Sequence, residues 1–153
     1  MDFVREIIEQ AAIVYNAKKS GILELGGGVP KNTAQQTGPL LDQILRKDHG
    51  GQDYIIQITD ARPDTGGLSG ATLQEGKSWG KVQDSHEDLI TVYTDSTIAF
   101  PILALYALAN EQAREPKRIY KNLGRYYETL QESAIKVPEK FAEILKKADI
   151  NVD

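Results

Sequence analysis

Residues 22–31 read ILELGGGVPK. Positions 22–25 predict a short strand. Gly26, Gly27 and Gly28 follow, then Val29, Pro30 and Lys31. Strand, glycine turn and helix start is the layout in which bare backbone approaches a nucleotide at the positive end of a helix. The run is not G-x-G-x-x-G, so by itself it fits a tight turn into a helix with Pro30 at the first position equally well.

Working outward, Phe3, Val4, Ile7, Ile8, Ala11, Val14 and Tyr15 recur at three- and four-residue spacing. That pattern predicts a helix with one buried face, ended by Gly21. Residues 31–47 predict a helix interrupted near Thr37, Gly38 and Pro39, with Leu40, Leu41, Ile44 and Leu45 as its apolar stripe. YIIQIT at 54–59 is rich in β-branched residues and predicts a buried strand. Residues 60–67 then leave its carboxyl end, the edge that carries ligands in an open α/β sheet. Asp60 and Asp64 lie there, able to cap, turn or meet a ribose. A helix is expected at 71–76, an acidic loop at 84–88 and a strand at 89–93. Asp95 follows, placed to cap the next helix or to accept hydrogen bonds from a ribose. Residues 97–111 are strongly apolar and predict a buried helix with Pro101 near its start. From Arg114 basic residues and tyrosines interleave, which predicts a packed helix with snorkelling side chains. Val137 and Pro138 open a last amphipathic helix through Lys147. The alternation implies an α/β fold, Rossmann-like, with a mostly parallel sheet flanked by helices. One domain over 1–153 is expected, with a helical tail from about 114.

The chemistry gathers in residues 66–81, GGLSGATLQEGKSWGK. Trp79 is the one tryptophan in the chain. An indole is a flat wall that packs on an alkyl chain or faces a cation. Lys81 close behind it would lose water, and desolvation disfavours the charged amine. A neutral amine attacks carbonyl and imine carbons. Glu75 lies four residues before Trp79, on the same helical face, where its carboxylate suits a cationic amine. The bland alternative makes Trp79 a core anchor and Lys81 a solvated strand lysine.

Composition excludes other classes. At 41% hydrophobic and 26% charged residues, the chain reads as an ordinary globular protein. A net charge of −4 argues against a general nucleic-acid binder. There are no cysteines, hence no disulfide and no thiolate metal site. His49 and His86 are isolated, and no metal site is expected. No signal peptide or membrane span is evident, so the cytoplasm is the default.

LGGGVPKN, GGLSGATL, SWGK and VYTDS together resemble the deoxyhypusine synthase family, most nearly its bacterial deoxyhypusine synthase-like branch. The match runs from about Gly21 to Pro101 and corresponds to the carboxyl-terminal half of that family. The resemblance implies a Rossmann-like fold, a homotetramer with sites between subunits, and NAD as cofactor. It implies that NAD oxidises a polyamine such as spermidine and that Lys81 captures the aminobutyl fragment as an imine. An acceptor amine then takes the fragment, and NADH reduces the product. Glu75 would hold a substrate ammonium, and Trp79 would line the alkyl chain. Gly26, Gly27, Gly28, Ala61, Gly66, Asp95 and Ser96 would contact NAD. The chain departs from the eukaryotic pattern in having Asn32 where a histidine follows the turn lysine. Thr65 and Leu68 stand near positions that are acidic there. Donor and acceptor therefore stay open between deoxyhypusine and homospermidine formation. The expected partners are a polyamine, an acceptor protein or amino-terminal half chain, and further copies of this chain. A non-catalytic binding or assembly module derived from the family is the other reading.

Overall fold

The computed structural model describes residues 2–82, 89–110 and 114–135. The acidic loop at 84–88, His86 and the helix from Val137 lie outside the described residues. The architecture is α/β, with a three-stranded parallel sheet ordered β1-β2-β3 and helices flanking it.

Helix α1 (Phe3–Tyr15) is capped by Asp2, whose side chain accepts from the Arg5 N–H. The glycine at 21 opens β1 (Gly21–Leu25) instead of merely ending the helix. At the carboxyl end of β1, Gly26 and Gly28 take φ of 82° and 89°, conformations that side chains with a Cβ rarely adopt. Helix α2 (Val29–Gln35) starts there, with Pro30 in its first turn. A break at Gln36 separates it from α3 (Thr37–Pro39), which widens into a π-helical turn at Leu40–Ile44. The helix expected over 31–47 is thus real but divided, and it ends early.

Strand β2 (Tyr54–Thr59) is central and mostly buried. Beyond it come a 3₁₀ turn at Pro63–Thr65, the short α4 (Gly67–Gly70) and α5 (Leu73–Ser78). The chain extends at Ala71 between these helices, and the Thr72 side chain caps α5. Strand β3 (Leu89–Tyr93) completes the sheet.

Two apolar clusters hold these layers. Ile55, Leu73 and Val82 join β2 to α5, with Leu89 beside them. Ala11, Ala12, Leu41 and Leu130 form the second. Leu130 comes from α7 (Leu123–Ile135), so the segment after 114 folds back against α1. The Asn16 side chain secures that contact by donating to the Tyr126 carbonyl at 3.2 Å.

One expectation fails. Helix α6 (Ser96–Ala109) forms as the sequence predicts, but none of its residues is buried. Ile98, Ile102, Leu105, Tyr106 and Leu108 all face outward. The helix is apolar around its whole circumference, while among the described elements it packs mainly on β2, which covers one side at most.

Candidate active site

All three strands run parallel, so their carboxyl ends lie on one edge. That edge carries Gly26–Gly28, the loop from Asp60 to Gly66, and Asp95. The glycine turn and α4 touch closely. A Cβ on Gly27 would sit 2.5 Å from the Ser69 Cα. Gly26 donates to the Ile58 carbonyl at 2.7 Å, tying the turn to β2. The Gln57 side chain donates to the Ser69 carbonyl at 3.1 Å. Beside this turn, between β1 and α2, lies a cavity of about 210 Å³ lined in part by Glu24, Gly26, Gly27, Pro30 and Lys31.

The structure places Gly26, Gly27, Gly28, Ala61 and Gly66 at this edge. Ala61 donates to the Thr59 hydroxyl at 3.2 Å. Gly66 has φ of 73°, and a Cβ there would meet nothing within 4 Å. Asp95 caps α6: its Oδ1 accepts from the Thr97 N–H at 2.8 Å and the Thr97 hydroxyl at 2.6 Å. Those bonds pull its carboxyl below the usual carboxylate range. Ser96 is the first residue of that helix.

Lys81 is held from a different direction. Its backbone lies at the amino end of β2, where Gln52 donates to its carbonyl at 3.0 Å and Val82 bridges to Gln52. Gly80 turns the chain there at φ of 69°. The turn packs tightly: a Cβ on Gly38 would come within 2.7 Å of the Gly80 carbonyl oxygen. The Lys81 side chain is neither core nor freely solvated. Its Nζ donates to the Asn32 Oδ1 at 3.1 Å.

Asn32 adjoins a buried polar group that sequence reading did not assemble. Glu24 on β1 and Lys31 on α2 are only 5% and 7% exposed. Lys31 Nζ lies 4.0 Å from Glu24 Oε2 and donates to the Ala71 carbonyl at 2.7 Å. The Gln35 amide donates to Glu24 Oε1 at 2.5 Å. Burial pushes the Glu24 carboxyl up, opposed by the Gln35 bond and by the charges of Lys31 and Lys81. Burial pushes the Lys31 amine down; Glu24 opposes this, Lys81 adds to it, and Glu75 counters it. Glu24 is the residue that was missed. Its signal was a carboxylate inside an apolar strand, seven residues before a lysine.

Glu75 and Trp79 are less enclosed. Glu75 is exposed in the first turn of α5. Trp79 is the carboxyl cap of α5 and is 66% exposed, so it is no core anchor. Its carbonyl accepts from the Gln43 amide at 3.4 Å. Among the described residues no three His, Asp or Glu side chains converge as a metal site. Among them, too, no helix is long and apolar enough to cross a membrane.

The chain matches the family model described as deoxyhypusine synthase over residues 1–107. It is 49% identical over 135 residues to a deoxyhypusine synthase-like protein of Thermosynechococcus vestitus, covering 83% of this chain and 34% of that one. Against a deoxyhypusine synthase-like protein of Nostoc punctiforme the identity is 44% over 155 residues, with 93% and 40% covered. A probable deoxyhypusine synthase 2 of Methanosarcina acetivorans is 43% identical over 119 residues, with 78% and 33% covered. The chain thus spans between a third and two-fifths of the length of these relatives. The family model over residues 1–107 and these identities show that the chain belongs to the deoxyhypusine synthase family.

Proposed function

We propose that this chain is the lysine-bearing portion of an NAD-dependent aminobutyl transferase acting on a polyamine in the cytoplasm. The observation that carries the reading is Lys81 itself, half-buried, anchored at Asn32 and set beside the charged groups Glu24 and Lys31. A tethered amine can be presented repeatedly to the same carbon, which is what covalent transfer requires.

NAD, when bound, supplies hydride acceptance from the donor amine and hydride return to the product. The residues at the sheet edge fit such a group: Gly26 and Gly66 leave space where a Cβ would stand, and Asp95 is exposed nearby in the fold. The neutral Lys81 amine attacks the imine carbon of the oxidised donor and forms a new carbon–nitrogen bond. The departing diamine leaves with the electron pair of the old bond and a proton. An acceptor amine then attacks the Lys81 imine by the same exchange and frees Lys81. Glu75 pairs with the far ammonium of the substrate, and Trp79 covers its methylene chain. The acceptor is a protein lysine in deoxyhypusine formation or a free diamine in homospermidine formation.

The portion of the relatives absent from this chain completes the site, and further copies of the assembled protein supply its neighbours. A second reading, a non-catalytic assembly module, is favoured by the open exposure of Glu75 and Trp79. Product analysis with NAD, spermidine and putrescine separates the two, run with and without an amino-terminal portion from a relative. Aminobutyl products dependent on Lys81 support the transferase. Their absence in the reconstituted mixture leaves the module reading.

A further inference from the structure

Asn32 and Lys81 come from sites 49 residues apart and meet through one side-chain hydrogen bond. Both backbones are already pinned. Asn32 donates to the Gly28 carbonyl at 3.1 Å, and its own carbonyl accepts from Gln36 at 2.9 Å. Lys81 donates to the Gly76 carbonyl at 3.0 Å and accepts from Gln52 at 3.0 Å. The long lysine stem is the part those bonds do not hold, and the Asn32 amide oxygen meets its tip.

The chemistry of that acceptor matters. An amide oxygen is uncharged and does not titrate. It accepts from a neutral amine and, more strongly, from an ammonium. A carboxylate there would favour the ammonium, and an imidazole would change charge near neutral pH. Among the described residues, Glu24 from β1 and Lys31 from α2 couple to Lys81, and Glu75 on α5 acts on Lys31. Glu24 and Lys31 carry opposite signs, and an uncharged partner adds no third charge at the Lys81 tip.

We propose that Asn32 is the positioning residue for Lys81, fixing its Nζ through an uncharged acceptor so that the amine is held in place without an ionised partner. The catalytic meaning of this device rests on Lys81 being the imine-forming nucleophile.

Reductive methylation of the intact chain with formaldehyde and cyanoborohydride tests it, read lysine by lysine by peptide mass mapping across pH. Asn32→Asp keeps the shape and adds a charge. It is expected to slow methylation of Lys81 at neutral pH about tenfold, the effect of one pKa unit, and to move its profile upward. Asn32→Leu removes the acceptor and is expected to move the profile downward. Opposite shifts confined to Lys81 are something loss of folding cannot produce, because unfolding would speed every buried lysine together. Wild-type Lys81 profiles in both variants overturn the proposal, as do shifts of one sign shared by all lysines. Borohydride trapping of a polyamine fragment in the reconstituted wild-type mixture is run beside it. Opposite shifts without trapping sink the transferase reading and leave Asn32 as the anchor. Trapping at Lys81 with unshifted variants does the reverse.

Discussion

Lys81 and Trp79 stand two positions apart and meet opposite surroundings. The lysine tip is tethered, whereas the indole is 66% exposed. If Lys81 is the nucleophile, its charge is not enough. Arginine keeps a cation but forms no imine, so Lys81→Arg is expected to abolish transfer as fully as Lys81→Ala. Borohydride trapping and peptide mapping check this, and an adduct on Lys77 would move the assignment. For Trp79 the exposure decides the stability term. A buried tryptophan typically costs ~3–5 kcal/mol when cut to alanine. An exposed one away from special contacts changes stability by about 0.5 kcal/mol or less. Trp79→Ala is therefore expected to leave the melting temperature nearly unchanged while raising the amine concentration needed for half-maximal rate in the reconstituted mixture. A large fall in melting temperature would contradict the exposed placement.

Between elements, β1 and α2 are joined by a buried charge pair instead of an apolar seam. Glu24 and Lys31 are 4.0 Å apart, with Gln35 and the Ala71 carbonyl satisfying part of each. Breaking a buried pair from one side typically costs about 3–5 kcal/mol, because the remaining charge stays desolvated. Lys31→Met and Glu24→Leu should each approach that loss, and the double variant should lose much less than their sum, measured by denaturant midpoints in a double-mutant cycle. The pH dependence has a defined sign. Glu24 is raised by burial, so its contribution to stability is present below the unfolded carboxylate value, about 4.3, and is lost as pH rises through the folded one. Lys31→Met removes the opposing charge. Its denaturant midpoint should therefore fall more steeply than that of the wild type between acid and neutral pH, and parallel curves would contradict the pairing. The turn that ends β1 carries a separate test. Gly27→Ala forces a Cβ to 2.5 Å from the Ser69 backbone. It should cost about 1–3 kcal/mol, as overpacking does, seen as a lower thermal midpoint.

At the scale of the whole molecule, α6 is the element out of place. A helix apolar on every side is normally buried, yet Ile98, Ile102, Leu105 and Leu108 are exposed, as are Ile90 and Val92 on β3. Exposed apolar surface of this extent is characteristic of an interface. The family relatives are more than twice as long as this chain, and we propose that the remainder of a protein of that length, or another copy, covers this surface. By contrast α7 is already packed on α1 through Leu130. Leu105→Glu should therefore shift the chain toward monomer in sedimentation while changing its stability by about 0.5 kcal/mol or less. Leu105→Glu sedimentation matching the wild type, both alone and with an amino-terminal portion added, would refute the interface.

Much of the fold was readable because its cues are local. Periodicity placed α1, the β-branched run placed β2, and glycines with Pro30 placed the turn into α2, since backbone preference and burial alternation act over a few residues. The family motifs likewise marked Lys81 and the glycine turn. Local cues did mark the break near Thr37, but not the π-helical turn beyond it, which of Trp79 and Lys81 is covered, or that α6 stays bare. Nor did they join Glu24, Lys31, Asn32 and Lys81. Those facts depend on residues up to 57 positions apart being brought within bonding or Coulombic reach by the parallel pairing of β1 with β2 and the return of the chain after α5. A sequence records which groups are available. The folded chain decides which of them lose water together, and that loss sets their charges and their chemistry.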